Sequence, residues 1–248
     1  IKELFWIWQM MSNKVFDLQQ MGCKVWDEWE LSDGTIGKAY AYQLRNKVQS
    51  ISIDELFLDM FFNGEFSFKP NEADLALGKE VIKERLLNDE DYLIDLNQVD
   101  WLLYTLKKNP HSRRIKTTLW CVEDLQDMAL QPCVYETHWI LHNGKLNLTV
   151  NIRSNDVTLG NPYNIYQYFV LLKMIAQVSD LESGELCFNI DIPHIYDRHI
   201  ETIKHQIENE QHEQPTFKLN PDVTSFFDFN IEDVIVENYN HSGNVKYE

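Results

Sequence analysis

Cys133 closes the run Met128-Ala-Leu-Gln-Pro-Cys133, and Arg153-Ser-Asn-Asp156 follows twenty residues later. Two more arginines, Arg113 and Arg114, stand upstream. Guanidinium groups near a thiol favour the thiolate, which is the nucleophilic form. They are also the usual bidentate holders of phosphate. By residue type and spacing, this is a nucleophile beside a phosphate clamp. That combination points to covalent chemistry on a phosphorylated small molecule.

The elements that must position these groups follow from hydrophobic period and turn chemistry. An apolar stripe at Leu4, Phe5, Trp8 and Met11 predicts a helix over residues 1–20, ending near Gly22. A second helix is predicted over 98–108, stopped before Pro110. The period then changes. Residues 115–120 read as a strand, and 134–141 alternate as a strand does. His142-Asn-Gly-Lys145 is a hairpin turn, with 146–152 as the returning strand. Pro162 opens a long apolar helix over 163–178, wide enough in its apolar face to be deeply buried. A strand near 186–190, a helix over 198–210 and short strands near Phe217 and Val234 complete the pattern. The fold class is α+β, a large mixed β-sheet flanked by helices.

Residues 46–97 differ from their surroundings. They hold twelve acidic and five basic residues and carry an apolar stripe at Leu56, Phe57, Met60 and Phe61. This predicts a small, acidic helical insertion lobe, with Asn88-Asp-Glu-Asp91 as a solvated surface. The chain as a whole, 1–248, reads as one domain. It opens at Ile1 within an apparent helix and stops at Glu248 while reading as a strand, so it is expected to be truncated at both ends.

With 44% apolar residues in 248, the chain can bury a sizeable core. A net charge of -17 argues against nucleic acid or an anionic membrane surface as the main ligand. An anionic substrate therefore needs a locally basic pocket. Four cysteines without a CxxC pair, no signal peptide and no apolar run of transmembrane length fit a reducing cytoplasm. Cys23, Cys121 and Cys187 read as space-filling residues. No zinc-ligand spacing occurs among the cysteines and the eight histidines, so no metal is expected.

Seven motifs occur together and in order: Leu4-Phe-Trp, Trp26-Asp-Glu-Trp29, Ser112-Arg-Arg114, Met128 to Cys133, Arg153-Ser-Asn-Asp156, Leu159-Gly-Asn-Pro-Tyr-Asn164 and His194-Ile-Tyr196. With them the chain resembles the thymidylate synthase family, from Glu3 to about Phe229. The resemblance implies reductive methylation of dUMP to dTMP by 5,10-methylenetetrahydrofolate, which leaves as dihydrofolate. Cys133 would attack C6 of the uracil ring, making C5 nucleophilic. Arg153 and Ser154 would hold the phosphate within the Arg153-Ser-Asn155-Asp156 substrate motif. Arg113 and Arg114 would reach the phosphate site of a partner subunit in a homodimer built on a sheet face. Asn164 would read the O4 and N3–H edge of uracil, since an amide offers a donor and an acceptor. His194 and Tyr196, two apart on a strand and so on one face, would hold the 3′-hydroxyl. Glu3 is implied as the general acid/base that polarises O4 through water, and Tyr40 as an aid in removing the C5 proton. Trp26, Asp156, Leu159, Gly160 and Tyr163 would line the folate site.

The pattern departs from the family in places. Asp191-Ile-Pro193 precedes His194 where Gly-Asp is usual, which moves the carboxylate by one residue and to the opposite strand face. Proline there also removes a backbone donor. Ala41, Leu44, Cys121 and Val134 replace the usual glycine, tryptophan, asparagine and histidine. Two alternatives stay open: a pyrimidine-nucleotide hydroxymethylase, and a non-catalytic nucleotide-binding relative.

Overall fold

The computed structural model describes residues 1–87 and 93–243. The acidic run Asn88–Asp91 and the strand-like end after Gly243 lie outside the described residues.

Helix α1 (Lys2–Leu4) runs directly into a wide π-turn, Phe5–Gln9. The chain then breaks at Met11, whose φ is 44°, and resumes as α2 (Val15–Gln20). The single helix expected over 1–20 is therefore two pieces. Phe5, Trp6, Ile7 and Trp8 are all buried, which one narrow stripe of a regular helix would not allow. The indole N–H of Trp6 donates to the Lys14 carbonyl at 3.0 Å across the break.

After α3 (Ala41–Asn46) comes β1 (Val48–Ser52), then helices α4 (Glu55–Phe62), α5 (Glu72–Leu77) and α6 (Lys79–Leu87), then β2 (Leu93–Asn97). Strands β1 and β2 pair antiparallel, so the acidic segment leaves and returns through a two-stranded ribbon that its sequence did not announce. Asp54 caps α4 by accepting from the Phe57 N–H at 2.8 Å. Phe57, Leu58, Met60 and Phe66 are buried in the same apolar cluster as the rest of the chain. Helix α7 (Gln98–Lys108) matches the predicted bounds, capped by Asn97.

Strands β3 (Lys116–Thr118), β4 (Val134–His142) and β5 (Lys145–Ile152) are antiparallel neighbours. Between β5 and the next main strand lie β6 (Asn155–Asp156) and helix α8 (Gly160–Val178). Strand β7 (Glu182–Ile190) then joins β5 in parallel, giving a mixed sheet of order β3-β4-β5-β7. The hairpin turn holds Asn143 and Gly144 at φ 51° and 76°, the left-handed values that Asn-Gly tolerates. One sheet face buries Trp139, Leu148, Val150 and Ile152, and α8 packs on β5 and β7 with Val170, Leu171, Met174 and Ile175 buried. The other face is polar and open. Across it the Asn189 amide donates to Asn151, Asn151 donates to Glu136, and Lys116 donates to the same Glu136 oxygen.

Strand β8 (Pro193–His194) pairs with β6, α9 (Ile200–Ile207) follows, and β9 (Thr216–Leu219) pairs with β10 (Val234–Glu237). The helix expected over 198–210 is shorter, opened by a 3₁₀ turn at Asp197–His199. The architecture is α+β.

Candidate active site

Cys133 lies at the end of a loop that two separate parts of the chain hold in place. Gly37 forms a bridge with Met128, Lys38 N–H donates to the Asp127 carbonyl at 2.8 Å, and Ala129 N–H donates to Ile36 at 3.2 Å. A Cβ at Gly37 would meet the Asp127 carbonyl oxygen at 2.1 Å, so this approach requires glycine. Three residues on, Tyr40 sits at φ 46°, a strained conformation for a bulky side chain. That geometry aims its phenol oxygen at the Cys133 N–H, which donates to it at 2.9 Å. Burial, with the neighbouring Cys133 thiol adding to it, pushes the Tyr40 phenol well above its ordinary pKa. Tyr40 therefore stays neutral, with a proton of its own.

Arg153 is the second hold. Its Nε donates to the Pro132 carbonyl at 3.0 Å and its Nη2 to Gln131 at 2.8 Å. Its backbone N–H donates to Cys133 O at 2.9 Å, and its guanidinium lies 6.0 Å from the Trp120 ring centre. The fork thus grips the nucleophile loop itself, leaving its remaining N–H groups for an anion. Ser154 beside it is half-buried, and its hydroxyl has no partner among the described residues.

Arg113 and Arg114 are elsewhere. The Trp139 N–H donates to the Ile115 carbonyl at 2.9 Å, and His138 Nε2 donates to the Arg113 carbonyl at 3.2 Å. This pairs the start of β3 with residues six positions along β4 from Cys133, about 20 Å at strand rise. The two arginines therefore do not form the charge environment of Cys133 in their own chain, which corrects the reading from sequence proximity. Both are exposed at the rim of the open sheet face.

The start of α8 is tied to the strand that follows Arg153. Asn155 Nδ2 donates to Asn164 Oδ1 at 3.1 Å. Asp156 Oδ1 accepts from the Thr158 N–H at 2.9 Å, while its Oδ2 has no partner among the described residues. The β6–β8 pairing sets Asp156 against His194, and Val157 N–H donates to His194 O at 2.9 Å. His194 and Tyr196 do stand together, with ring centres 5.1 Å apart, although the strand ends at His194 and Tyr196 belongs to the next turn. His194 Nδ1 donates to the Ile192 carbonyl at 3.3 Å, which leaves Nε2 for a ligand. Asp191 follows β7, its N–H donating to Ile152 O, and it is exposed.

Glu3 is tied to the same wall from the far end of the sequence. Trp26 Nε1 donates to its Oε1 at 2.6 Å and Gln167 Nε2 to its Oε2 at 2.5 Å. These two donors fix the carboxylate's plane. Trp26 is 7% exposed, packed against Trp6 and Tyr40. Tyr163, by contrast, is 67% exposed beside half-buried Leu159 and Gly160. An open aromatic ring and, seven residues before it, a free Asp156 oxygen suit a flat heterocycle with hydrogen-bond donors. Among the described residues no group of three His, Cys, Asp or Glu could hold a metal ion, and no helix is long and apolar enough to cross a membrane.

Sequence reasoning missed Gln167 and Trp120. Both act on another side chain, and only tertiary proximity reveals that. Gln167 had one local signal, a polar residue at a buried position of an otherwise apolar helix.

Comparison with known proteins identifies the family. The family model described as thymidylate synthase matches residues 1–248. Thymidylate synthase 1 of Bacillus subtilis (strain 168) is 45% identical over the whole chain, which covers 75% of that relative. The thymidylate synthase of Bacillus atrophaeus is 44% identical, with 92% of its length covered. The solved structure of thermostable thymidylate synthase A from Bacillus subtilis superimposes with a TM-score of 0.80 at 44% identity, over 100% of this chain and 75% of that one. A matching family model, full-length identity and a matching fold converge: this chain belongs to the thymidylate synthase family of methyltransferases.

Proposed function

We propose that the protein converts dUMP to dTMP with 5,10-methylenetetrahydrofolate, through attack of Cys133 on C6 of uracil, as a cytoplasmic homodimer. The observation that carries this reading is that Arg153 bonds the Cys133 loop while Asn155, two residues on, bonds Asn164. Covalent catalysis needs the nucleophile held at a fixed distance from a bound ring, and this wall supplies that constraint. Cys133 Sγ adds to C6, and the electron pair develops towards C5 and O4. Arg153 and Ser154 grip the phosphate, Asn164 pairs with the base edge, and His194 Nε2 and Tyr196 take the 3′-hydroxyl. Glu3, held by Trp26 and Gln167, shifts protons at O4 through water, and neutral Tyr40 stands beside the nucleophile to assist loss of the C5 proton. When bound, the folate supplies the one-carbon unit and the hydride; Asp156 Oδ2, Leu159, Gly160, Tyr163 and the edge of Trp26 would hold it.

The dimer is supported by the position of Arg113 and Arg114. About 20 Å of strand separates them from their own Cys133, and they flank an uncovered sheet face. A second copy packed on that face would receive them at its phosphate site.

Tritium release from [5-³H]dUMP, measured with the full-length protein and the folate, tests the reading. Cys133→Ser is expected to lower release by at least about a thousandfold while dUMP binding persists. A 5-hydroxymethyl nucleotide without dihydrofolate would instead identify a hydroxymethylase. Bound dUMP without any release would identify a non-catalytic relative, and the displaced Asp191 is the observation favouring that outcome.

A further inference from the structure

We propose that Asn155 is a specificity-determining residue: it fixes the rotation of the Asn164 amide and thereby makes the site select uracil over cytosine. The inference rests on the reading of Asn164 as the group that pairs with the base. An asparagine by itself does not discriminate. With its oxygen towards N3–H and its NH₂ towards O4 it reads uracil. Turned by half a rotation, the same amide donates to N3 of cytosine and accepts from the amino group. Selection therefore requires something that holds the rotation.

Asn155 is placed to do this. Its Nδ2 donates to Asn164 Oδ1 at 3.1 Å, occupying one lone pair and leaving the other for N3–H. Turning Asn164 alone would set its NH₂ against the NH₂ of Asn155, two donors facing each other. Turning both together would restore the bond, so the question becomes what resists joint rotation. Asn155 is 3% exposed, and its Oδ1 is buried with no partner. In the observed orientation the orphan is therefore an acceptor. After joint rotation the orphan would be an NH₂ with two unmet donors, and buried orphan donors are rarer and costlier than under-used oxygens. The backbone is fixed as well: Asn155 N–H donates to the Ile192 carbonyl at 3.1 Å, and Asn155 stands opposite Pro193 in the β6–β8 pair. The unusual Ile192-Pro193 stretch thus braces the residue that orients the base reader.

The test is the ratio of dissociation constants for dUMP and dCMP, measured on the full-length wild type, Asn155→Ala and Asn155→Asp. The wild type is expected to prefer dUMP. Asn155→Ala removes the donor and should narrow the preference by about tenfold, the worth of one hydrogen bond. In Asn155→Asp an ionised carboxylate can only accept, so Asn164 turns its NH₂ inward and the ratio moves further towards dCMP. A purely structural role would weaken both nucleotides equally; an unmoved ratio in folded variants overturns the proposal. Should the buried aspartate prevent folding, Asn155→Ala decides the ratio alone. Wild-type protein that binds neither nucleotide would overturn the base-reader assignment itself, and that result is distinct from intact dUMP binding with an unmoved ratio.

Discussion

The nucleophile loop and the acidic segment are attached to the molecule by different forces. Around Cys133, side chains from distant residues bond backbone atoms: the Arg153 guanidinium donates to the Gln131 and Pro132 carbonyls, and the Tyr40 phenol oxygen accepts from the Cys133 N–H. Residues 46–97 carry partly exposed ion pairs, Lys83 with Glu55, Lys79 with Asp59 and Lys108 with Asp54, over a stack in which Phe57 and Phe66 centres are 5.1 Å apart. Exposed pairs contribute little and tolerate many geometries, whereas a fork on two carbonyls allows one. Position is held tightly where chemistry needs it. In the acidic segment, burial of the phenylalanines does most of the anchoring.

Three changes sharpen this contrast. Phe57→Ala has the largest expected effect, about 3–5 kcal/mol of global stability in urea unfolding, because the ring is 2% exposed within the main core. A loss below about 1 kcal/mol would mean that the acidic segment is an independent lobe. Next comes Arg153→Lys, which keeps the charge and loses the fork. Turnover is expected to fall about a hundredfold with little change in melting temperature, since a small displacement of the nucleophile suffices. Unchanged turnover would show that charge alone matters at this position.

The smallest effect lies at the junction of the two regions. Asp124 bonds Lys47, Gln43 and Lys38, and these donors, Lys47 foremost, hold its carboxyl well below the usual carboxylate range. A carboxyl depressed in the folded state binds its proton more tightly when unfolded. Its stabilisation is present above about pH 4 and is lost as pH falls towards the folded value. Asp124→Asn should therefore flatten the acid limb of stability against pH while leaving the profile near pH 7 parallel to wild type. An unaltered acid limb would exclude this junction as a source of acid sensitivity.

Local patterns were readable wherever neighbours in sequence decide the outcome. Asn143-Gly144 set the hairpin, Asn97 and the apolar period set α7, and the alternation of 134–141 set β4. These depend on dihedral preferences and on which face meets water, and each is encoded within a few residues. The first helix was misread because four adjacent bulky residues are all buried, and burial on that scale depends on what packs around them.

The candidate site divides along the same line. The sequence by itself determined the chemical inventory: a thiol after proline, an arginine-serine pair, an amide on the first turns of α8, and a surface too acidic for nucleic acid. Only tertiary structure decided which of these groups meet. It sent Arg113 and Arg114 to the far end of β4, spent Arg153 on the nucleophile loop, and joined Asn155 to Asn164 and Gln167 to Glu3, residues up to 164 apart in the chain. The physical reason is that strand register and sheet order, not residue spacing, set distances across a sheet, and both are fixed by burial of the whole apolar face at once.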